Sequence, residues 1–149
     1  MSKIVLGEAL RALLARNEAL IVAYREGARN LPPGPVPNLA GSMVQQRRDL
    51  AKALTALAAS PASYAEIDVD SDPRSSEAPT PGGAKDVIGL LGLMKEAEDA
   101  DFERLTELAG SALPVSADAA DLFASEANGA KKRASWAQDH LDLMSLAKP

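Results

Sequence analysis

The chain has 149 residues, which is enough for one domain that buries a core of its own. Its net charge of −5 opposes a nucleic-acid-binding surface, and a sequence without cysteine excludes disulfides, thiolate metal sites and thiol nucleophiles. Aromatic residues make up only 3% of the chain while alanine and leucine abound, a composition typical of helical proteins. We therefore predict a single helical domain over residues 1–149.

The N-terminal stretch MSKIVLGEALRALLARNEAL predicts an amphipathic helix over residues 3–30. Its inward-facing residues, here called a seam, recur at alternating steps of three and four, as in helices that pack side by side. Charged residues interrupt the stretch, so it has neither the apolar core of a signal peptide nor the pattern of a membrane span. We expect a cytoplasmic protein of bacterial type. This first seam is Leu6, Leu10, Leu13, Asn17, Leu20, Tyr24, Gly27 and Leu31.

The proline-rich link NLPPGPVPN separates this helix from a second predicted helix over residues 37–60. Residues 61–81 are rich in proline, serine and aspartate, and we predict a flexible crossover there. Within it, DVDSDP looks like the start of a calcium loop, but prolines occupy the positions that need glycine and glutamate. A solvated acidic loop is the better interpretation. The second seam is Val36, Ala40, Met43, Arg47, Leu50, Leu54 and Leu57.

Two further helices are predicted over residues 82–109 and 116–147, joined by a short link. Thr80 and Pro81 suit the start of the third helix as its cap and first-turn proline, and Ser116 suits the cap of the fourth. The third seam is Val87, Leu91, Met94, Glu98, Asp101, Leu105 and Leu108. The fourth, rich in alanine and therefore able to approach a neighbouring helix closely, is Ala120, Phe123, Ala127, Ala130, Ala134, Ala137, Leu141 and Met144.

These elements predict an all-α fold, a four-helix bundle built from two antiparallel helical hairpins. A short link joins the helices within each hairpin, and the long crossover joins the two hairpins. The crossover can span the length of a helix several times over, so the sequence leaves the direction of the second hairpin open.

Polar residues interrupt the seams near mid-height, and counting from the links places them in one layer. They are Asn17, Gln46, Arg47, Glu98 and Asp101. Buried charges are costly unless they are paired, which leaves two interpretations. In the first, Arg47 pairs with Glu98 and the layer fixes the register of the helices. In the second, Glu18, Glu98 and Glu126 are ligands of a metal centre in the bundle core.

The order of the helices, with NEALIVAYREGA, MVQQRRDLAKAL and MKEAEDADFERL on the first three, resembles the ferritin-like superfamily, in particular its small bacterial members of unknown function. The resemblance covers most of the chain as a pattern. It implies a ferritin-like bundle. For metal-binding members it also implies a di-iron centre, with one glutamate on the first and third helices and Glu-x-x-His on the second and fourth. Glu18 and Glu98 match the two single glutamates.

The second and fourth helices depart from that ligand pattern. The second reads QQRR at residues 45–48, with glutamine in place of glutamate and arginine in place of histidine. The fourth reads EANG at residues 126–129, with glycine in place of histidine. Because the arginines put positive charge where a metal ion would lie, we expect no di-iron centre, no other metal and no cofactor.

Trp136 and His140 are the chain's single tryptophan and single histidine, one helical turn apart. His140 lies roughly 18 Å along the helix from the polar layer, too far to share a ligand set with Glu98 and Glu126. We interpret His140 as a partly exposed, hydrogen-bonded residue and Trp136 as a cover over apolar surface. A role for His140 with carboxylates of another chain is the alternative. The basic run AKKRAS is interpreted as a solvated face.

The sequence favours a non-enzymatic helical-bundle protein that is structural or binds a protein partner, without a functional di-iron site. We expect a homodimer or another homo-oligomer formed through helices of the second hairpin, and neither nucleic acid nor membrane as a partner. One alternative is an adaptor or export-chaperone-like bundle that binds another protein's amphipathic helix. The other is a carboxylate-based metal-binding protein, which needs Glu18, Glu98 and Glu126 to converge.

Overall fold

A computed structural model gives the fold and describes residues 2–75 and 84–146. The four predicted helices are confirmed, and the chain is mostly helical. They are α1 (Leu6–Arg29), α2 (Pro35–Ala58), α3 (Val87–Ala112) and α4 (Ala117–Leu146). Two short strands, β1 (Ser2–Val5) and β2 (Glu66–Val69), form an antiparallel pair, and single 3-10 turns occupy Pro61–Tyr64 and Pro73–Ser75.

The first helix begins later than predicted because the residues before it form β1. Ile4 pairs in register with Ile67, and both side chains are buried. Ile4 and Val5 are β-branched, which favours extended backbone. The Leu6 amide donates to the Ala65 carbonyl oxygen at 2.8 Å. Ala65, the residue before β2, therefore caps the start of α1.

The predicted flexible crossover over residues 61–81 needs correction where β2 forms. Ile67 and Val69 are buried, while Glu66 and Asp68 are exposed. This alternation has the period of two that a half-buried strand requires, although it lasts only four residues. Within the crossover, residues 76–81 lie outside the described ranges, as do the predicted Thr80–Pro81 cap and the start predicted for the third helix.

Side-chain caps mark the starts of the third and fourth helices. Asp86 caps α3, its Oδ1 accepting from the Gly89 amide at 2.7 Å. Ser116 caps α4 as predicted, its Oγ accepting from the Ala119 amide at 3.1 Å. Pro35 stands at the first position of α2, where its missing N–H has no intrahelical partner to lose.

Two apolar clusters fill the interior, one toward each end of the helices. α1 packs most extensively against α2, and α3 against α4. The sheet-end cluster includes Ile4, Leu10, Leu54, Ile67, Leu105 and Phe123. The far-end cluster includes Leu20, Tyr24, Met43, Leu91, Met94 and Ala137. Within the described ranges, no helix combines the length and the apolar character needed to cross a bilayer.

Candidate functional site

A layer of polar side chains lies between the two apolar clusters, and all four helices contribute to it. In α1, for example, Leu13 belongs to the sheet-end cluster and Leu20 to the far-end cluster. The polar residues fall between such positions and turn toward the bundle axis. This mid-bundle layer consists of Arg16, Asn17, Gln46, Arg47, Glu98, Asp101, Glu126 and Arg133.

Arg47 lies at the centre of the layer and is only 1% exposed. Its Nη2 donates to Oε2 of Glu98 at 2.5 Å and to Oδ2 of Asp101 at 2.8 Å. Its Nη1 donates to Oδ1 of Asn17 at 2.9 Å, and Asn17 returns a bond from Nδ2 to the Arg47 carbonyl oxygen at 2.7 Å. The Tyr24 ring centre lies 5.6 Å from the guanidinium, within cation–π range. Arg47 therefore ties α2 to both α1 and α3.

Glu98 is fully buried, at 0% exposure, and both of its carboxylate oxygens accept hydrogen bonds. Oε2 accepts from Arg47 and from the Tyr24 hydroxyl, the latter at 2.8 Å. Oε1 accepts from Nε of Arg133 at 2.6 Å. Charge-assisted bonds of this kind are about twice as strong as neutral ones. Glu98 is thus the acceptor on α3 for donors on each of the other three helices.

Arg133 extends the network across α4. Besides Glu98, it donates to Oε1 of Gln46 at 2.9 Å and to Oε1 of Glu126. Gly129 leaves the room that this guanidinium occupies, since a Cβ there would lie 3.0 Å from Nη1 of Arg133. Gly129, the position where the resemblance implied a histidine in metal-binding members, therefore leaves room for Arg133.

Asp101 forms the opposite edge of the network. Arg16 donates from Nε to its Oδ1 at 2.7 Å, and Arg16 also reaches the Ala97 carbonyl oxygen at 3.4 Å. Nη1 of Arg104 lies 3.5 Å from the same Oδ1, at the rim of the layer. Asp101 therefore bridges α1 and α2 through Arg16 and Arg47.

Charges within the layer balance. Three arginines, Arg16, Arg47 and Arg133, are paired at short range with three carboxylates, those of Glu98, Asp101 and Glu126. An ion buried without a partner costs several kcal/mol. The equal numbers of cations and anions are what allow so many charged groups to lie in the core.

Burial and mutual attraction fix the protonation states at the centre. Burial is the largest single effect and opposes the charge of Arg47, but the attractions of Glu98, Tyr24 and Asp101 together outweigh it, so the pKa of Arg47 is raised. Burial also opposes the charge of Asp101, but the attraction of Arg47 and Arg16 holds the pKa of Asp101 below its usual value. Burial, together with the charge of Glu98, raises the pKa of Tyr24 well above its usual value. Tyr24 therefore stays protonated and donates its hydrogen bond.

The α4 side of the layer behaves differently. Burial raises the pKa of Glu126, an effect that the neighbouring Arg133 reduces without cancelling. Burial opposes the charge of Arg133, but Glu98 and Glu126 together raise the pKa of Arg133.

A general acid or base needs a mobile proton near the working pH, whereas the central groups are held in fixed charge states. This arrangement is suited to holding helices together rather than to transferring protons.

The three candidate metal ligands do not converge. Glu18 follows Asn17 by one residue, and the rotation of about 100° per residue turns its side chain to solvent, where it is exposed. Glu98 and Glu126 do lie in the layer, but both accept from Arg133. In residues 2–75 and 84–146, no group of three or more histidine, aspartate and glutamate side chains is arranged to hold a metal ion. Glu18 therefore does not join the other two glutamates, although the metal-binding alternative requires the three to converge.

The layer predicted from the sequence lies together. Asn17, Arg47, Glu98 and Asp101 are buried, Gln46 is half-buried, and hydrogen bonds connect all five to the network. The network also includes two side chains that the sequence did not predict to belong to the layer, those of Arg16 and Arg133.

Trp136 and His140 lie on the outer side of α4. Trp136 is 39% exposed. Nδ1 of His140 lies 2.8 Å from the Trp136 carbonyl oxygen, which fits an Nδ1–H that donates to its own helix. This local bond accounts for the position of the imidazole without a partner from another element.

Sequence reasoning missed Arg16 and Arg133. The run AKKRAS was interpreted as a solvated face, and its two lysines are indeed exposed, but Arg133 is only 2% exposed. A signal was present, because Arg133 follows Glu126 by seven residues, two helical turns on one face. Arg16 carried a weaker signal, since it directly precedes Asn17 and its long side chain can reach the bundle axis.

No family model matches this chain, and comparisons with curated proteins and with solved structures found no match either.

Proposed function

We propose that this protein is a non-enzymatic, ferritin-like helical bundle that is structural or partner-binding, with an arginine–carboxylate layer in place of a di-iron centre. The observation that carries the proposal is at Glu98. Both of its carboxylate oxygens accept hydrogen bonds from side chains, and two of the three donors are arginines. A metal ion at this carboxylate would have to displace those cations and would add positive charge beside them.

Helix connections support the ferritin-like arrangement. A short link joins α1 to α2 and another joins α3 to α4, while a long segment joins the two pairs. Each pair shares the most extensive contacts. Asn17 and Arg47, which bond to each other, are equally far from the first link, as expected for antiparallel neighbours.

Self-association is supported by the outer face of α4. Trp136 and Leu143 are 39% and 63% exposed and lie seven residues apart, on one side of the helix. Lys132 and Asp139 flank Trp136 on that side. If two α4 helices packed antiparallel about a point between Ser135 and Trp136, Lys132 of each copy would face Asp139 of the other, and Leu143 would face Asn128. Such a surface is self-complementary, as a two-fold homodimer requires.

A charge swap tests the homodimer. Light scattering should give a mass about twice the 15.5 kDa of the chain. Lys132→Glu should weaken dimerisation more than about tenfold, because it faces Asp139, and the double variant Lys132→Glu/Asp139→Lys should restore it. Lys52→Glu, which reverses the charge of an exposed lysine on α2 away from this face, serves as the control.

A chain that stays at 15.5 kDa at every concentration would contradict the homodimer. The second candidate, an adaptor that binds another protein's amphipathic helix, rests on the same exposed face of α4. It would then be tested by binding of a partner protein that the Trp136→Asp variant fails to bind.

Metal content tests the absence of a di-iron centre. Protein purified without chelator and incubated with iron, manganese or zinc should retain no stoichiometric metal by elemental analysis. The Glu98→Ala variant is measured beside it. Stoichiometric metal that is lost in Glu98→Ala would overturn the proposal and favour the carboxylate-based metal-binding alternative.

A further inference from the structure

A groove runs along the surface between α1 and α2, on the far-end side of the mid-bundle layer. Its volume is about 290 Å³. The apolar side chains of Ala28, Ala40 and Val44 contribute to its lining. Gly41 also lines it, and a Cβ at Gly41 would meet no atom within 4 Å. The groove is open partly because this position carries no side chain.

Three arginines surround the apolar lining. Arg25 and Arg29 come from successive turns of α1, and Arg48 comes from α2. All three side chains are exposed, and none forms an ion pair or a side-chain hydrogen bond with the residues that the structure describes. The lining includes no acidic residue. On a chain whose net charge is −5, this is a local concentration of unpaired positive charge.

We propose that this groove binds a small organic anion, with the anionic group held by the arginines and a flat apolar body against the alanine and valine side chains. Guanidinium groups recognise carboxylates and phosphates through paired N–H donors. The volume of about 290 Å³ lies just below the range of about 300–1,000 Å³ typical of small-molecule sites. It suits a ligand of one or two fused rings rather than a long peptide.

This site is independent of the α4 face on which self-association rests. It is also distinct from the mid-bundle layer, although Tyr24 lines the groove and its hydroxyl binds Glu98. Tyr24 connects the far-end cluster to the layer, and it is fully buried beneath the groove.

Titration calorimetry with 1-naphthyl phosphate and 1-naphthoate tests the proposal, with the neutral 1-naphthol, inorganic phosphate and an acidic peptide as comparisons. We expect saturable one-to-one binding of one or both aromatic anions, weakened by added salt. Binding of only one of them identifies the anionic group. Arg29→Gln and Arg48→Gln should each weaken it about tenfold or more, because each removes a charged donor. Arg11→Gln, an exposed arginine elsewhere on α1, should leave it unchanged.

Filling the groove provides the sharper test. Gly41→Leu places a side chain where there is open space, so the helix should remain folded while ligand binding is lost. Gly110→Leu is the matched control, because its Cβ also meets no atom within 4 Å and it lies in α3, outside the groove. Thermal melts of both variants verify folding.

No saturable binding of either aromatic anion by the wild type would overturn the proposal. So would binding that Gly41→Leu leaves intact, since the ligand would then lie elsewhere. Binding of the acidic peptide alone would also overturn it, and would identify the arginines as a protein-docking surface instead.

Discussion

Arg47 forms hydrogen bonds to three side chains on two other helices, and an apolar residue in its place could form none of them. Arg47→Met keeps an unbranched apolar stem but removes the guanidinium, which leaves Glu98 and Asp101 with one cation fewer in the interior. Removing one partner of a buried ion pair costs about 3–5 kcal/mol, and we expect a loss of that size in the free energy of unfolding. Urea denaturation at neutral pH measures it.

The neighbouring Arg48→Met is the control for that measurement. Arg48 is exposed and lies outside the layer, so its replacement should change the free energy of unfolding by no more than about 0.5 kcal/mol. Equal losses in the two variants would contradict a structural role for the layer.

Asp101 gives the layer a dependence on pH with a definite sign. Its pKa is lowered in the folded state despite burial, because Arg47 and Arg16 stabilise the carboxylate. The stabilisation is present above the unfolded pKa of about 3.9 and is lost as the pH falls through the lowered folded pKa. Asp101→Asn should therefore cost free energy at about pH 7, and its difference from the wild type should shrink below about pH 4.

Urea denaturation of both proteins over a series of pH values measures this difference. A difference that stays constant from neutral to acid pH would mean that the Asp101 carboxylate does not carry the stabilisation.

Single residues also show where sequence reasoning succeeds and where it ends. The position of Arg47 in a heptad seam predicted a buried cation, and Glu98 in the third seam supplied its partner. Arg133 lies beside its seam rather than in it, so periodicity alone did not distinguish it from the exposed lysines before it. Its burial depends on Gly129 and on acceptors from other helices, which are properties of the assembled bundle.

Among the elements, α1 packs tightly against α3 at Gly27. A Cβ at Gly27 would lie 2.6 Å from Cδ1 of Leu90, which is fully buried. Gly27→Ala would favour the helix by about 1 kcal/mol, but displacing a packed leucine costs about 1–3 kcal/mol. We expect a net loss of stability of about 1 kcal/mol in thermal denaturation.

Gly92→Ala is the matched change on α3, because its Cβ would meet no atom within 4 Å. This variant should gain about 0.5–1 kcal/mol from helix propensity alone. If Gly27→Ala were stabilised to the same extent, that result would contradict tight packing of α1 against Leu90 of α3 at this position.

Long helices were predictable and short strands were not, for a physical reason. Each helix repeats its apolar spacing over six or more turns, so one interruption does not obscure the pattern. β1 has four residues and its apolar members continue directly into the first seam. Ile67 and Val69 give only two matches to a strand pattern, and their pairing with β1 joins segments more than sixty residues apart.

For the molecule as a whole, the layer interrupts an otherwise apolar interior, which suggests that it contributes specificity rather than stability. The variant Arg47→Met/Glu98→Leu/Arg133→Met/Glu126→Gln removes two cations and two anions together. Replacing a buried ionic network by apolar groups is often neutral or stabilising by about 1–4 kcal/mol. We expect this variant to be at least as stable as the wild type, although single replacements are destabilised.

Urea denaturation compares the four-fold variant with its single members, and the dispersion of amide NMR signals reports whether one arrangement of helices persists. A loss equal to the sum of the single losses would mean that the charges contribute independently rather than as a network.

The distribution of charge in the layer has a consequence for the order of folding. α1 and α2 contribute two arginines and no carboxylate, whereas α3 and α4 contribute three carboxylates and one arginine. Each half, if it closed alone, would bury excess charge of one sign. The N-terminal half is synthesised first, and it must keep its arginines hydrated until α3 arrives with Glu98 and Asp101. We therefore expect the interior to close around Arg16 and Arg47 only once α3 has been synthesised.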